Sequence, residues 1–238
     1  TTMAFRTVVA KILGVSFVLA LSGCGRPLTT SEMAFLQAVQ GDQFDPKPVR
    51  VINGHFAGSA TYQIPVRPRT TCQERIWPPQ SEAKTVTVSP AASVVFNKML
   101  YRKDLYAEDF LPGWPDKIDL FYTMLFAHEA THVWQWQNRA RTGYHPLKAI
   151  QEHTNSADPY LFDPDNTKGF LDYGYEQQGS IVEEYVCCRL LDPDAPRTAR
   201  LRAMIGQEMP IEGLDRALGQ GTVRLPWDGV QLKGICRS

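Results

Sequence analysis

His128-Glu129-Ala130-Thr131-His132 sets two imidazoles four residues apart with a carboxylate directly after the first. On an α-helix that spacing stacks both rings on one face, where both can reach a single tetrahedral Zn2+. Glu129 then approaches the coordination position left open, where a metal lowers the pKa of water and a carboxylate can take the proton. These residue types point to metal-assisted hydrolysis, with His128 and His132 as zinc ligands and Glu129 as the catalytic carboxylate.

Such a centre needs a helix beneath it. Residues 116–141 contain neither Pro nor Gly, and Ile118, Phe121, Leu125, His128, His132 and Gln135 recur along one helical stripe. Pro115 and Asp116 suit its start, Asp119 adds negative charge at that end, Arg139 and Arg141 suit its end, and Gly143 suits a stop. The same pentapeptide also occurs in ordinary helices as two buried, hydrogen-bonded histidines. In a chain with 5 histidines in all, this clustering favours the metal site.

A zinc hydrolase of this kind needs a third protein ligand. Ile181, Val182, Tyr185, Val186 and Leu190 recur with helical period, so a second helix packs on the core, with Glu176, Ser180 and Glu183 on one face. Glu176 is the favoured ligand, because Gly179 lets this helix lie close against the first; Glu183 is the alternative. Glu184 points elsewhere and reads as part of a solvated face, as does Glu183 to a lesser degree. Zinc peptidases often carry an orienting Asp four residues after a ligand Glu. Ser180 stands there, so one histidine must be oriented differently.

A net charge of zero with 21% charged residues excludes a broadly basic nucleic-acid face. With 43% hydrophobic residues the chain can build one core, which fits a single domain over 24–238. Residues 1–23 read as a bacterial lipoprotein signal peptide: Arg6 and Lys11 precede an apolar run over 12–21, closing on Leu21-Ser22-Gly23-Cys24. Cys24 then carries the lipid anchor, and Gly25, in place of Asp, directs the protein to the outer membrane facing the periplasm. In that oxidising setting Cys72, Cys187, Cys188 and Cys236 read as disulfides. The adjacent Cys187 and Cys188 point apart, so each takes a distant partner, Cys72 or Cys236.

The remaining pattern is coarser. A short helix capped by Thr30 or Ser31 runs to Val39 with Met33, Leu36 and Val39 inward, strands fall over 49–53 and 60–65, and 65–79 is loop. Residues 85–89 form a strand along which a substrate backbone could align. Residues 96–109 give no clear signal. Residues 144–175 read as a long polar loop with His145 and His153 at the surface, and Tyr173 or Tyr175 either packs or donates to an oxyanion. A third helix spans 198–207. The fold class is α+β, mainly helical with a short sheet, a small zincin-like metallopeptidase domain.

Four stretches also carry a family resemblance: Arg26-Pro27-Leu28-Thr29-Thr30-Ser31-Glu32, Val49-Arg50-Val51, the run from Ala127 through Val133-Trp134-Gln135, and Glu176-Gln177-Gln178-Gly179-Ser180-Ile181-Val182-Glu183. Together they resemble the Vgr-related bacterial proteins and the HExxH metallopeptidase domain associated with extracellular contractile injection systems. The similarity covers most of residues 26–190. It implies a zincin-like domain in which His128 and His132 hold zinc and Glu129 acts as the catalytic carboxylate. The function expected is a zinc metallopeptidase acting on a peptide or protein substrate, with an envelope protein as a further possible partner. The rival is a catalytically inactive binding lipoprotein with structural zinc or none.

Overall fold

In the computed structural model the described residues are 25–80, 83–166, 168–218 and 221–237. The expected leader and Cys24, the expected lipid site, lie outside them. The first helix, α1 (Thr30–Val39), starts from Thr29, because Thr29 and Glu32 cap each other reciprocally. That start sets the inward face as Phe35, Leu36 and Val39, whereas Met33, expected inside, is 40% exposed.

Strand β1 (Arg50–Asn53) pairs in parallel with Lys98–Tyr101, which pairs antiparallel with Ala92–Val95. Just before α1, the backbone of Arg26 exchanges two hydrogen bonds of 2.9 Å with Val51, and its guanidinium lies 2.7 Å from buried Glu32. A separate ribbon joins β2 (Tyr62–Pro65) to Thr85–Val88. Between them the expected loop contains a helical turn, α2 (Cys72–Arg75). The strands that follow are β3 (Thr85–Val88), β4 (Ala92–Val95) and β5 (Lys98–Tyr101). The β4–β5 hairpin turns on Phe96 at φ 59°, without the glycine that would have marked it in the sequence.

The motif helix begins later than its apolar stripe suggested. Lys117–Asp119 is strand β6, paired in parallel with Thr222–Arg224, so Ile118 is buried from a strand. Asp119 caps helix α3 (Leu120–Gln137) by accepting from the Tyr122 N–H at 3.2 Å. Asn138 ends α3, a short α4 (Arg139–Thr142) follows, and Gly143 takes φ 68° at the stop. The expected 144–175 loop holds a helix, α5 (Pro146–Asn155), capped by the His145 ring. Only Ala149 of that helix is buried, and its apolar Leu147 and Ile150, one turn apart, face solvent rather than the core.

Helix α6 (Tyr175–Leu191) packs along α3, and its Ile181, Val182 and Val186 are sealed in the same core as Phe126, Ala130 and Val133 of α3. Each large apolar side chain sealed in this way contributes about 2 kcal/mol. Helices α7 (Pro196–Ile205) and α8 (Glu212–Ala217) and strand β7 (Thr222–Arg224) complete the chain. The result is a mixed α+β fold, mainly helical with small sheets.

Disulfides Cys72–Cys187 and Cys188–Cys236 give each adjacent cysteine a distant partner. They also correct the expectation for Glu184, which is fully buried rather than solvated. Its carboxylate accepts from the N–H groups of Cys72 at 2.9 Å and Gln73 at 3.1 Å, and lies 3.3 Å from buried Arg197. The disulfide brings the α2 N-terminus over the face of α6 that sequence pattern alone left open.

Candidate metal centre and cleft

His128 and His132 stand on the side of α3 that meets α6. Gly179 makes the approach possible: a Cβ there would lie 2.6–2.8 Å from atoms of the His128 ring. Glu176, one turn earlier on α6, faces both rings. Nε2 of His128 and Nε2 of His132 each lie 3.2 Å from Glu176 Oε2, and 3.1 Å from each other.

The remaining ring nitrogens define the tautomers. His128 Nδ1 donates to Glu183 Oε2 at 3.2 Å, and His132 Nδ1 donates to Gln135 Oε1 at 2.9 Å. Gln135 is itself fixed by donating to Tyr175 O and Gln178 Oε1. When each ring is neutral, its Nε2 is unprotonated and faces Glu176 Oε2, so that three acceptors converge with no donor between them, the donor set of a cation site; with no cation there, the carboxylates around them favour protonated rings. Tetrahedral corners around Zn2+ bound at ordinary distances stand about 3.3–3.4 Å apart, close to the observed triangle. Among the described residues, the grouping holds three ligand atoms and no fourth.

Glu183, the alternative ligand, thus sits on the far nitrogen of His128 and takes the orienting place that Ser180 cannot fill. His153 is exposed, as expected, yet points its Nε2 at Glu176 Oε1 from 3.0 Å and fixes that carboxylate's second oxygen. No spacing rule could have found it, because α5 is itself hidden. His145 remains outside the site as the α5 cap.

Electrostatics follow from burial and these contacts. Burial alone would raise the Glu176 carboxyl, but His132, His128 and His153 outweigh it and hold it well below the usual range. Burial pushes Glu129 up to about 7, against the pull of both histidines. Its Oε2 is buried without a hydrogen-bond partner.

His128 and Glu129 line a cleft of about 630 Å³. The ribbon contributes Ile64, Val86 and Val88 to its walls, so the 85–88 strand flanks the site as expected. The strand at the open edge of the three-stranded sheet, packed on α3, is β4 instead. Tyr160 also lines the cleft, its ring centroid 5.7 Å from that of His128 and 5.5 Å from that of His153. Tyr175 donates to Gly143 O, and Tyr173 is buried outside the lining.

No family model and no curated protein matches the chain. Among solved structures it is similar to the effector domain of Pseudomonas aeruginosa VgrG2b, at 20% sequence identity and a TM-score of 0.47, over 83% of this chain and 94% of that one.

Proposed function

We propose that the protein is a zinc-dependent peptidase of the HExxH type, with a zincin-like domain held at the bacterial envelope by a lipid on Cys24. The observation that carries this reading is the triangle of His128, His132 and Glu176 atoms beside an open cleft, with the partnerless Oε2 of Glu129 next to it. Zn2+ held by those three residues would supply Lewis acidity toward a carbonyl and a water of lowered pKa. Three ligands leave a fourth position, as a catalytic site requires, whereas a non-catalytic binding protein with structural zinc would need that position closed.

The chain's own groups then have separate tasks. Glu129 takes the proton of the attacking water and returns it to the leaving nitrogen. Glu183 and Gln135 hold the rings, and His153 holds Glu176. We assign donation to the developing oxyanion to Tyr160, whose ring lines the cleft beside His128, rather than to Tyr173 or Tyr175. A peptide or protein substrate lies extended in the cleft beside β4. The two disulfides support an exported chain.

The test has two readouts. Elemental analysis should find one zinc per chain, lost in His132→Ala. Glu129→Gln should keep the zinc while hydrolysis of a proteome-derived peptide mixture falls by about 10²- to 10⁴-fold. Full hydrolysis by Glu129→Gln, or a metal-free wild type, would overturn the reading.

A further inference from the structure

Two arginines line the cleft, and their surroundings differ. Arg67 is matched by acids: Nε and Nη2 reach Asp158 at 2.5 and 2.8 Å, and Nη1 reaches Glu74 at 3.3 Å. Arg69 has no carboxylate among the described residues. Its Nη1 donates to Glu74 O at 2.9 Å and Trp77 O at 2.6 Å, and its Nη2 to Arg75 O at 3.1 Å. Nε and one Nη2 hydrogen are left without an acceptor among the described residues. Unlike the sealed Nε atoms of Arg26 and Arg197, the Arg69 Nε is not closed off in the interior.

The three carbonyls come from the end of α2 and the residues after it, so they fix the guanidinium plane. That segment is in turn fastened to α6 by Cys72–Cys187 and by Glu184. Arg69 is therefore a positioned cation with two open donors, enough for both oxygens of a carboxylate. Beside it the wall is apolar, built from Ile64, Val66, Trp77 and Val86.

We propose that Arg69 is a specificity residue that binds a carboxylate of the peptide in the cleft, next to a large apolar side chain. This rests on the reading of the cleft as a peptide site. The carboxylate can belong to an acidic side chain or to the peptide's own C-terminus, and the two are separable by experiment.

Binding is measured by fluorescence polarisation on the full chain carrying Glu129→Gln, so that no cleavage is required. Three dye-labelled peptides share a central phenylalanine-leucine pair: one has an internal glutamate and an amidated end, one a glutamine and a free carboxylate end, one a glutamine and an amidated end. One of the acidic peptides should bind roughly tenfold more tightly than the neutral one, the gain expected of a charge-assisted contact. Which one identifies the source. Adding Arg69→Gln should erase the preference while leaving the neutral peptide's affinity in place, a pattern that a collapsed wall would not give. Equal binding of all three peptides, or a preference that survives Arg69→Gln, overturns the assignment. Absence of binding by any peptide removes the peptide-site reading itself, and this inference with it.

Discussion

Glu183 holds Nδ1 of His128 from 3.2 Å, two turns along α6 from the Glu176 carboxylate that faces Nε2 of the same ring. One helix thus grips one imidazole from both sides. This assigns Glu183 an orienting task and predicts a graded response. Glu183→Ala should weaken zinc binding about 10- to 100-fold in a chelator competition, the usual effect of losing such a partner. Glu176→Ala should abolish stoichiometric binding. Equal losses in both variants would contradict the division of labour.

Gly179 supports the same contact by having no side chain. In Gly179→Ala the new methyl must displace the His128 ring, because contacts of 2.6–2.8 Å are too short to absorb. We expect about 1–3 kcal/mol of destabilisation from overpacking, together with loss of bound zinc. Urea unfolding and elemental analysis on one preparation check both effects. Normal zinc content in this variant would show that α6 can shift outward without opening the site.

The Cys72–Cys187 bridge spans 115 residues and joins the cleft wall to α6. Replacing both cysteines with serine should cost about 2–4 kcal/mol, as loss of such a cross-link typically does. Amide exchange should rise first in the segment around Arg69, with α3 still protected. Uniform exchange across the chain would mean that the bridge serves global stability alone.

Asp215 gives the acid limb of stability. Tyr185 and Arg202 donate to its carboxylate, and Arg189 Nε approaches to 3.3 Å. Burial would raise this carboxyl above its ordinary value of 3.8, but those donors hold it lower. The folded chain therefore binds this proton less tightly than the unfolded chain. The stability it contributes is complete above the ordinary value and is lost as pH falls through the lower, folded one. Asp215→Asn should cost about 1 kcal/mol at neutral pH, discounted for its partial exposure to solvent. The gap from wild type should narrow in acid, which urea midpoints at several pH values will show.

The grouping of His128, His132 and Glu176 was legible because it depends on local spacing within two helices. HExxH needs only one helix, and Glu176 with Gly179 needs only a close neighbour. What stayed hidden depends on contacts between distant segments. Glu184 looked solvated because nothing in its own helix announces that Cys72 and Gln73 lie over it. His153 is exposed, as expected, but its contact with Glu176 comes from α5, whose Leu147 and Ile150, 64% and 58% exposed, turn to solvent rather than to the core and so give no sign of where the helix lies. Lys117–Asp119 looked helical because its partner, Thr222–Arg224, lies in a tail with few signals.

The pairing of Arg26 with Val51 has a consequence for how the protein sits in its surroundings. Arg26 lies two residues after Cys24, and two residues of extended chain span at most about 7 Å. A lipid on Cys24, as proposed, would therefore leave the domain no leash: it would rest against the bilayer with one side turned toward the headgroups, and substrates would reach it along the membrane plane.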